Sequence, residues 1–405
     1  MAEPGYLTAH EAATELDISL ATLYAYVSRG LIRSEATGKT RARRYRLEDI
    51  RALKERKEQR SDPAKVAATA LHWGAPVLES AISFIADGQL YYRGHQATVL
   101  ATTHTLEEVA WLIWTGALQT PPPAAPAPAL SPRYSGACQA VAALPPCEAF
   151  QVLLPLAAWE DLAAYDLRAP AVAQTGLRIL RLLAGIAIGE APVMRAIAAT
   201  LQQGWVPNEP QALAAFNTAL ILCADHELNV SAFTARCVAS AGSTPYAVVI
   251  AGLAALQGTK HGGTTARVEA FFHEAATPRW ARAALVDRLR RGEPIPGFGQ
   301  QLYPEGDPRA DALVTLASSL RPHAPAVALA HAIMAAAHDL IGEYPNIDFG
   351  LVTLTQALQL PPGSALALFA IGRTIGWIGQ AIEAYQEGRM IRPRARYIGV
   401  TPSPP

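Results

Sequence analysis

Cysteine is scarce in this chain, and no two cysteines are placed to act together. The 405 residues include four, Cys138, Cys147, Cys223 and Cys237, without a Cys-x-x-Cys pair or suitably spaced histidines. Zinc sites and redox pairs require such spacing. We therefore expect no metal site and four separate thiols in a reducing cytoplasm.

Net charge, long apolar runs and a leader segment are missing as well. The 34 basic and 34 acidic residues cancel, so the charge of the whole chain indicates no nucleic-acid or membrane partner. No stretch reaches the roughly 18 uninterrupted apolar residues of a membrane helix. The N-terminus has no basic segment followed by an apolar run, so we expect no signal peptide. These absences predict a cytoplasmic protein.

The first 60 residues predict a small helical unit with a basic segment. Thr8 and Glu11 fit a capping box, and a second helix is predicted to begin after Ser19. Six basic residues against one acid follow within residues 31–46. Two helices joined by a tight turn and followed by a basic hairpin form a winged helix-turn-helix pattern. Residues 6–46 resemble the MerR-like or excisionase-like DNA-binding fold.

This resemblance implies that the second helix enters the major groove of DNA and that the wing contacts the backbone. The candidate side chains on or near the reading helix are Thr22, Tyr24, Tyr26 and Arg29. The candidate phosphate contacts are Arg41, Arg43 and Arg44, because guanidinium groups pair bidentately with phosphate oxygens. The alternative is a helical module with a solvated basic face, which would bind no DNA.

The rest of the chain predicts an all-α protein. Alanine and leucine recur at helical spacing from residue 64 onward, and β-branched alternation is scarce. Pro63 predicts a domain boundary, since proline fixes its own φ and removes a helical donor. The proline-rich residues 120–132 predict an exposed loop between helices.

Eight short motifs follow one another along this second part. In chain order they are Gln89-Leu90-Tyr91-Tyr92-Arg93-Gly94, Ala224-Asp225-His226-Glu227, Lys260-His261-Gly262-Gly263, Pro296-Gly297-Phe298-Gly299, Gly306-Asp307-Pro308-Arg309, Asn346-Ile347-Asp348-Phe349, Ile371-Gly372-Arg373 and Ile391-Arg392-Pro393-Arg394. Each motif alone is weak, because a lone Asn-x-Asp is usually a turn or a helix cap. The series in this order and spacing resembles the citrate synthase family over roughly residues 70–400.

The resemblance implies a large and a small helical domain behind the helix-turn-helix unit. We expect a helix-turn-helix domain at residues 1–62, a large domain at residues 63–250 and 351–405, and a small domain at residues 251–350. The resemblance also implies a homodimer, since Arg392 would reach the site of the partner subunit.

The same resemblance assigns the chemistry. Members of the family join an acyl thioester to a 2-oxo dicarboxylate. Asp348 would be the base that removes the α-proton, and neutral His261 would donate to the enol oxygen. The oxaloacetate contacts would be His226, Arg309, Arg373 and Arg392, because guanidinium groups suit carboxylates. Acetyl-CoA or propionyl-CoA is implied as co-substrate, with no other cofactor and no metal.

The chain departs from the family at one catalytic position. The family's loop reads Gly-Phe-Gly-His, whereas Gln300 follows Gly299 here. The missing histidine polarises the ketone and helps to protonate the new alkoxide. An amide donates hydrogen bonds but transfers no proton. We therefore expect slower turnover at Gln300, by about 10²–10⁴-fold.

Two functions are compatible with these residues. In the first, the protein is a citrate or 2-methylcitrate synthase that is slowed by Gln300. In the second, it is a DNA-binding transcriptional regulator whose weakened synthase domain senses a ligand. Asp348 favours the enzyme, because a sensor needs no base. The fused helix-turn-helix unit and Gln300 favour the regulator.

Overall fold

The computed structural model describes residues 6–16, 18–28, 31–36, 43–46, 49–50, 78–119, 130–395 and 397–400. The chain divides into two compact units, Met1–Glu79 and Ser80–Pro405. Arg29, Arg41, Pro63 and residues 120–129 of the predicted loop lie outside the described residues. The domain limits given above stay predictions.

Among its described residues, the first unit contains two helices and a three-stranded antiparallel sheet. The strands are β1 Tyr6–Thr8, β2 Ser34–Ala36 and β3 Arg43–Arg46, with β3 in the middle, and the helices are α1 Ala9–Glu15 and α2 Leu20–Ser28. The predicted capping box is confirmed. The Thr8 side chain accepts from the Glu11 N–H at 3.3 Å, and the Glu11 carboxylate accepts from the Thr8 N–H at 2.8 Å. Strands β2 and β3 form the predicted basic hairpin.

The second unit begins with a small antiparallel sheet and continues as helices. The strands are β4 Ser83–Ala86, β5 Gln89–Tyr92 and β6 His95–Gln96. The helices in this described part are α3 Ala97–Thr103, α4 Leu106–Thr115, α5 Pro132–Ala140, α6 Pro146–Glu160, α7 Ala169–Ile188, α8 Ile197–Trp205, α9 Ala212–Leu222, α10 Val230–Ser240, α11 Pro245–Leu256, α12 Thr264–Ala275, α13 Pro278–Arg290, α14 Pro308–Leu320, α15 Pro325–Ile341, α16 Ile347–Ala357 and α17 Ser364–Glu387. A short 3-10 helix, Leu162–Tyr165, follows α6.

The predicted all-α class is confirmed, with the two small sheets as additions. The turn between β4 and β5 explains the second sheet. Asp87 has φ +50° and Gly88 has φ +69°, which is the left-handed pair that a tight two-residue hairpin requires. The sequence analysis did not use this Asp-Gly signal.

Helix α17 is the centre of the second unit. It packs against α4, α6, α7, α9, α10, α11 and α16. Two glycines permit this close approach. A Cβ at Gly372 would lie 2.4 Å from the Leu220 carbonyl oxygen, and one at Gly376 would lie 2.5 Å from the Ala224 carbonyl oxygen. Only glycine fits both positions, so the backbone of α17 contacts the end of α9 directly.

Helices α7 and α17 are long and apolar enough to cross a membrane by length and composition alone. Within their most apolar 18 residues, however, 72% and 94% respectively are buried inside the second unit. This burial is typical of core helices, whose apolar faces pack on neighbouring helices.

Helices α12 to α16 pack largely on one another, and they join the rest of the unit mainly through α9 and α17, with smaller contacts of α12 on α17 and of α14 on α3. Helix α14 also packs on α9, and α16 also packs on α17. These contacts bring the chain segments that precede α14 and α16 to the helices that carry the other candidate residues.

Candidate active site

Helix ends and the segments between helices carry most of the candidate site residues. In chain order these residues are His226 after α9, His261 after α11, Gln300 before α14, Arg309 in the first turn of α14, Asp348 in the first turn of α16 and Arg373 within α17. Side chains at such positions rest on a rigid backbone yet point away from regular helix packing.

Five of these residues share one electrostatic environment. The charges of Arg309 and Arg373 act on both His226 and Asp348, and the charge of Arg373 also acts on His261. The structure therefore brings His226, His261, Arg309, Asp348 and Arg373 together from five separate segments.

Asp348 is held at the start of α16 with one oxygen unsatisfied. Asn346 caps the helix, and its side-chain oxygen accepts from the Asp348 N–H at 3.1 Å. The Asp348 Oδ1 atom is buried and has no hydrogen-bond partner among the described residues. Burial raises the pKa of Asp348 to about 7, although the positive charge of Arg309 opposes the shift. Asp348 is therefore a carboxyl group that can accept a proton near neutral pH.

Asp307 fixes Arg309 and links it to Asp348. The Asp307 carboxylate accepts from Arg309 Nε at 2.9 Å and from Arg309 Nη2 at 2.7 Å, a bidentate pair with both side chains almost fully buried. The same carboxylate accepts from the Ile347 N–H at 3.2 Å. One buried carboxylate thus joins the first turns of α14 and α16.

Arg373 presents its guanidinium end without a described partner. Its Nε donates to the Cys223 carbonyl oxygen at 2.7 Å, and its charge lies 4.9 Å from the Phe369 ring centre. Among the described residues, Nη1 and Nη2 form no hydrogen bond or ion pair. Burial lowers the pKa of Arg373, and the nearby Asp225 carboxylate opposes that shift. These free donors suit a substrate carboxylate.

His261 is a neutral imidazole held from one side. Its Nε2 lies 2.8 Å from the Ser231 hydroxyl oxygen, which also accepts from Trp377 Nε1 at 3.2 Å. Burial, with the charge of Arg373 adding to it, lowers the pKa of His261 to about 4. The imidazole is therefore uncharged at neutral pH, and its second nitrogen remains for another partner.

His226 and Tyr303 form a neutral pair beside Arg309. The His226 Nε2 atom lies 3.0 Å from the Tyr303 hydroxyl, and the Arg309 charge lies 5.3 Å from the Tyr303 ring centre. Burial and the charges of Arg309 and Arg373 hold the pKa of His226 well below its ordinary value. Burial raises the pKa of Tyr303 to about 12.

Gln300 and Arg392 are the two candidates with few contacts. The Gln300 Oε1 atom accepts from the Leu302 N–H at 3.5 Å, the upper limit of a hydrogen bond, and its amide nitrogen has no described partner. Arg392 is exposed in the segment after α17 and has no hydrogen bond or ion pair to the described residues. Within a single chain, the structure does not bring Arg392 to the other five residues.

Four residues of the site received no role from the sequence analysis. They are Asp225, Ser231, Tyr303 and Asp307. Asp225 is fully buried, and burial raises its pKa to about 6 while Arg373 opposes the shift. Of these four, only Asp307 could be recognised from the sequence. An aspartate directly before a proline is typical of a helix N-cap, and Asp307 caps α14. The other three depend on contacts between distant segments.

The candidate DNA contacts differ in their exposure and in the hydrogen bonds and ion pairs they already form. Tyr24 is 52% exposed on α2, whereas Tyr26 packs against the small core and the Thr22 hydroxyl lies 2.9 Å from that of Ser19. Arg43 is exposed and donates to Ser34. Arg44 pairs with Glu35 at 3.2 Å and lies 4.2 Å from the Tyr6 ring centre. Arg44 shares this carboxylate with Arg46, whose Nη2 lies 3.0 Å from Glu35 Oε1, so the charge of Arg44 is only partly compensated.

Within the described residues, no group of three histidine, cysteine, aspartate or glutamate side chains is placed to hold a metal ion.

Comparison with known proteins gives two family matches. The family described as citrate synthase, C-terminal domain, matches residues 70–394, and a helix-turn-helix domain family matches residues 6–58. The chain is 30% identical over 362 residues to the citrate synthase of Haloferax volcanii, covering 80% of this chain and 94% of that protein.

Solved citrate synthases share the fold. The structure from Thermotoga maritima has a TM-score of 0.71 at 24% identity and covers 82% of this chain and 96% of that one. The ternary complex of the Thermoplasma acidophilum enzyme with carboxymethyl coenzyme A and oxaloacetate has a TM-score of 0.67 at 22% identity. It covers 82% of this chain and 96% of that one.

The raised pKa of Asp348 predicts a pH-dependent effect of Asp348→Asn on stability. An unfolded aspartate ionises near pH 3.9, so between about pH 4 and 7 the unfolded state loses the proton that the folded state keeps. The free-energy cost of burying Asp348 on folding therefore increases up to about pH 7 and stays constant at higher pH. We expect the gain in unfolding free energy from Asp348→Asn to be larger at pH 8 than at pH 5 by about 2–3 kcal/mol.

Urea unfolding at both pH values measures this difference. Asp339→Asn is the matched control, because Asp339 is an exposed carboxylate of α15 that pairs with Arg282. An equal effect of Asp348→Asn at pH 5 and pH 8 would contradict the assignment.

Proposed function

The chain belongs to the citrate synthase family, and on that premise we propose that it condenses the acyl group of acetyl-CoA or propionyl-CoA with oxaloacetate. Water would then hydrolyse the thioester bond of the condensation product, so the products would be citrate or 2-methylcitrate and free CoA. The observation that carries the proposal is the buried, unpartnered carboxyl oxygen of Asp348, with neutral His261 and two arginines in the same environment. A carboxylate base and a neutral donor are what enolisation of a thioester requires.

In the first step, Asp348 would remove a proton from the α-carbon of the thioester. A carboxyl group with a pKa near 7 is a stronger base than an ordinary aspartate and is largely ionised at slightly alkaline pH. His261 would donate a hydrogen bond to the developing enol oxygen. The Ser231 hydroxyl proton has two acceptors within reach, Asn229 Oδ1 at 2.9 Å and His261 Nε2 at 2.8 Å. When it lies on Nε2, the imidazole proton is on Nδ1 and is available to a different partner.

In the second step, the two arginines would hold the oxo acid. Arg373 offers two free guanidinium nitrogens, and Arg309 retains Nη1 because Asp307 takes its Nε and Nη2. Two carboxylates of oxaloacetate match these donors in charge and shape. Both arginines are buried, so their attraction for an anion is stronger than it would be in water.

Gln300 would slow the last part of the reaction. Its amide nitrogen is free to donate a hydrogen bond to the ketone oxygen, but it cannot transfer a proton to the alkoxide. We therefore propose that the enzyme turns over more slowly than a version with histidine at this position.

Thiol release tests this proposal directly. The protein is assayed with acetyl-CoA or propionyl-CoA and oxaloacetate, and Gln300→His is compared with it. We expect measurable release from the unchanged protein and a kcat at least roughly tenfold higher for Gln300→His. Gln301→His, one residue further along an exposed stretch, is the matched control and should not change kcat.

The outcomes separate the two functions. Turnover only in Gln300→His would favour the ligand sensor. Turnover in neither variant, with thermal stability still raised by oxaloacetate, would leave a binding site without catalysis. The ratio of the rates with the two thioesters decides between citrate and 2-methylcitrate as product.

We further propose that two copies of the chain complete each site. Arg392 lies in an exposed C-terminal arm, residues 389–395 and 397–400, and Ile391 anchors this arm by donating to Ser240 at 3.0 Å. The arm also exposes four apolar side chains, Met390, Tyr397, Ile398 and Val400. Such apolar exposure around a free arginine supports an arm that a second copy covers.

Complementation between inactive variants tests this arrangement. Arg392→Gln and Asp348→Asn are expected to be inactive alone. In a co-expressed mixture, a hybrid dimer has one intact site, so about a quarter of the parental sites should return. No recovery, despite hybrid dimers in the sample, would show that Arg392 does not serve the partner's site.

As a second function, we propose that the first unit binds DNA. The helix-turn-helix match over residues 6–58 and the exposed Tyr24 on α2 support this proposal. Arg43 is exposed and pairs with no acid in the described part of the chain, whereas Arg44 is paired with Glu35. Electrostatic contacts to phosphates would make the affinity fall with salt.

Gel shifts with a genomic fragment pool over a salt series test DNA binding. We expect Arg43→Ala to weaken binding and to lower the salt slope by about 1. Arg44→Ala is the matched comparison and should have a smaller effect, because Glu35, which it shares with Arg46, partly compensates the charge of Arg44. Absent or salt-insensitive retardation would contradict the proposal. A change in DNA affinity on adding oxaloacetate would support the regulator.

A further inference from the structure

The proposed reaction needs a proton donor for the alkoxide, and Tyr303 lies beside a proposed substrate contact. It is 2% exposed, and its hydroxyl has a single hydrogen-bond partner among the described residues, His226 Nε2 at 3.0 Å. His226 is a proposed oxaloacetate contact, so the hydroxyl of Tyr303 lies next to the substrate position. The sequence analysis gave Tyr303 no role.

Tyr303 is also tied to the position where the family's histidine is missing. Its N–H donates to the Gln300 carbonyl oxygen at 3.0 Å, so both residues belong to one turn. The Gly306 N–H in turn donates to the Tyr303 carbonyl oxygen at 3.0 Å. This turn places a hydroxyl, which can transfer a proton, three residues from an amide, which cannot.

We propose that Tyr303 is the catalytic proton donor to the alkoxide, and that it replaces the acid function that Gln300 lacks. The proposal rests on the proposed condensation with oxaloacetate. Tyr303 would donate a hydrogen bond to the ketone oxygen in the bound substrate, with His226 as its neighbour.

The proton and electron balance of this step is simple. When the enol carbon attacks the ketone carbon, the new carbon–carbon bond forms and the C=O electron pair moves to oxygen. The O–H bond of Tyr303 breaks, and its proton goes to that oxygen to give the hydroxyl of the product. The phenolate that remains is stabilised by Arg309, whose charge lies 5.3 Å from the ring centre, and a proton from water restores the phenol.

The pKa values favour proton transfer from Tyr303 to the alkoxide. Tyr303 has a pKa raised to about 12, and Arg309 opposes the effect of burial. An alkoxide is comparable in basicity to hydroxide, whose conjugate acid, water, has a pKa of about 15.7. The phenol is therefore the stronger acid and gives up its proton to an alkoxide. His226, with its pKa well below the ordinary value, stays neutral and is a weaker donor than an imidazolium would be.

The kinetic test compares Tyr303→Phe in two backgrounds. In the unchanged chain, we expect kcat for thiol release to fall by about 10²–10⁴-fold, whereas the KM for oxaloacetate rises only by about tenfold, because one hydrogen bond to the ketone is lost. In the Gln300→His background, the new histidine supplies the proton, so Tyr303→Phe should lower kcat less than about threefold. Equal losses in both backgrounds, or no loss in either, would overturn the proposal.

Tyr344→Phe is the matched control. Tyr344 also has its ring against a histidine, His338, with 5.4 Å between ring centres, and it is 40% exposed. Its carbonyl oxygen accepts from the Gly299 N–H at 3.0 Å, a contact that phenylalanine keeps, and its hydroxyl has no hydrogen-bond partner among the described residues. We expect no change in kcat for this variant. A loss as large as that of Tyr303→Phe would point to general damage rather than to proton transfer.

A binding measurement keeps the proposal testable if the protein shows no turnover, which would contradict the proposed function separately. Calorimetry compares oxaloacetate with succinate, which has the same two carboxylates and no ketone. If Tyr303 donates to the ketone, Tyr303→Phe should reduce the preference for oxaloacetate over succinate by roughly tenfold. An unchanged ratio would show that Tyr303 only supports the fold of the site.

Discussion

The buried ion pair between Asp307 and Arg309 is the constraint on which the site depends. Its carboxylate holds the arginine bidentately and also accepts from the Ile347 N–H, so it fixes the starts of α14 and α16 at once. Removing one partner of such a pair leaves an uncompensated buried charge, which is strongly unfavourable. The same pair therefore positions a substrate arginine and, through α16, the proposed base Asp348.

Burial then determines the protonation state of the groups around this pair. It raises the pKa of Asp348 towards neutrality and lowers the pKa values of His226 and His261, so the site has a basic carboxylate and two uncharged imidazoles. The positive charge comes from Arg309 and Arg373, which stay ionised when buried. The buried carboxyl groups of Asp307 and Asp225 lie beside these arginines and offset part of their charge. The arrangement suits enolisation, and it leaves proton delivery to the alkoxide as the step that most needs another group.

The loop before α14 is where the sequence predicts a departure from the family pattern. Gln300 has an amide in place of an imidazole, and Tyr303 in the same turn contacts His226. The Tyr303 hydroxyl would supply the proton that Gln300 cannot transfer, because a nearby arginine stabilises the phenolate that is left. The first unit adds a helix-turn-helix domain whose wing is partly neutralised by Glu35, so Arg43 carries more of any phosphate contact than Arg44.

The sequence alone determined the helical class, the capping box at Thr8 and the order of the family motifs, because each depends on neighbours in the chain. It also located His226, His261, Arg309, Asp348 and Arg373, whose motifs are short and local. Only the tertiary structure decided the partners of these residues. Ser231 beside His261 and Tyr303 beside His226 are contacts across 30 and 77 residues, which no local pattern encodes. The unsatisfied oxygen of Asp348 and the shifted pKa values likewise arise from burial, and burial exists only after the segments have packed.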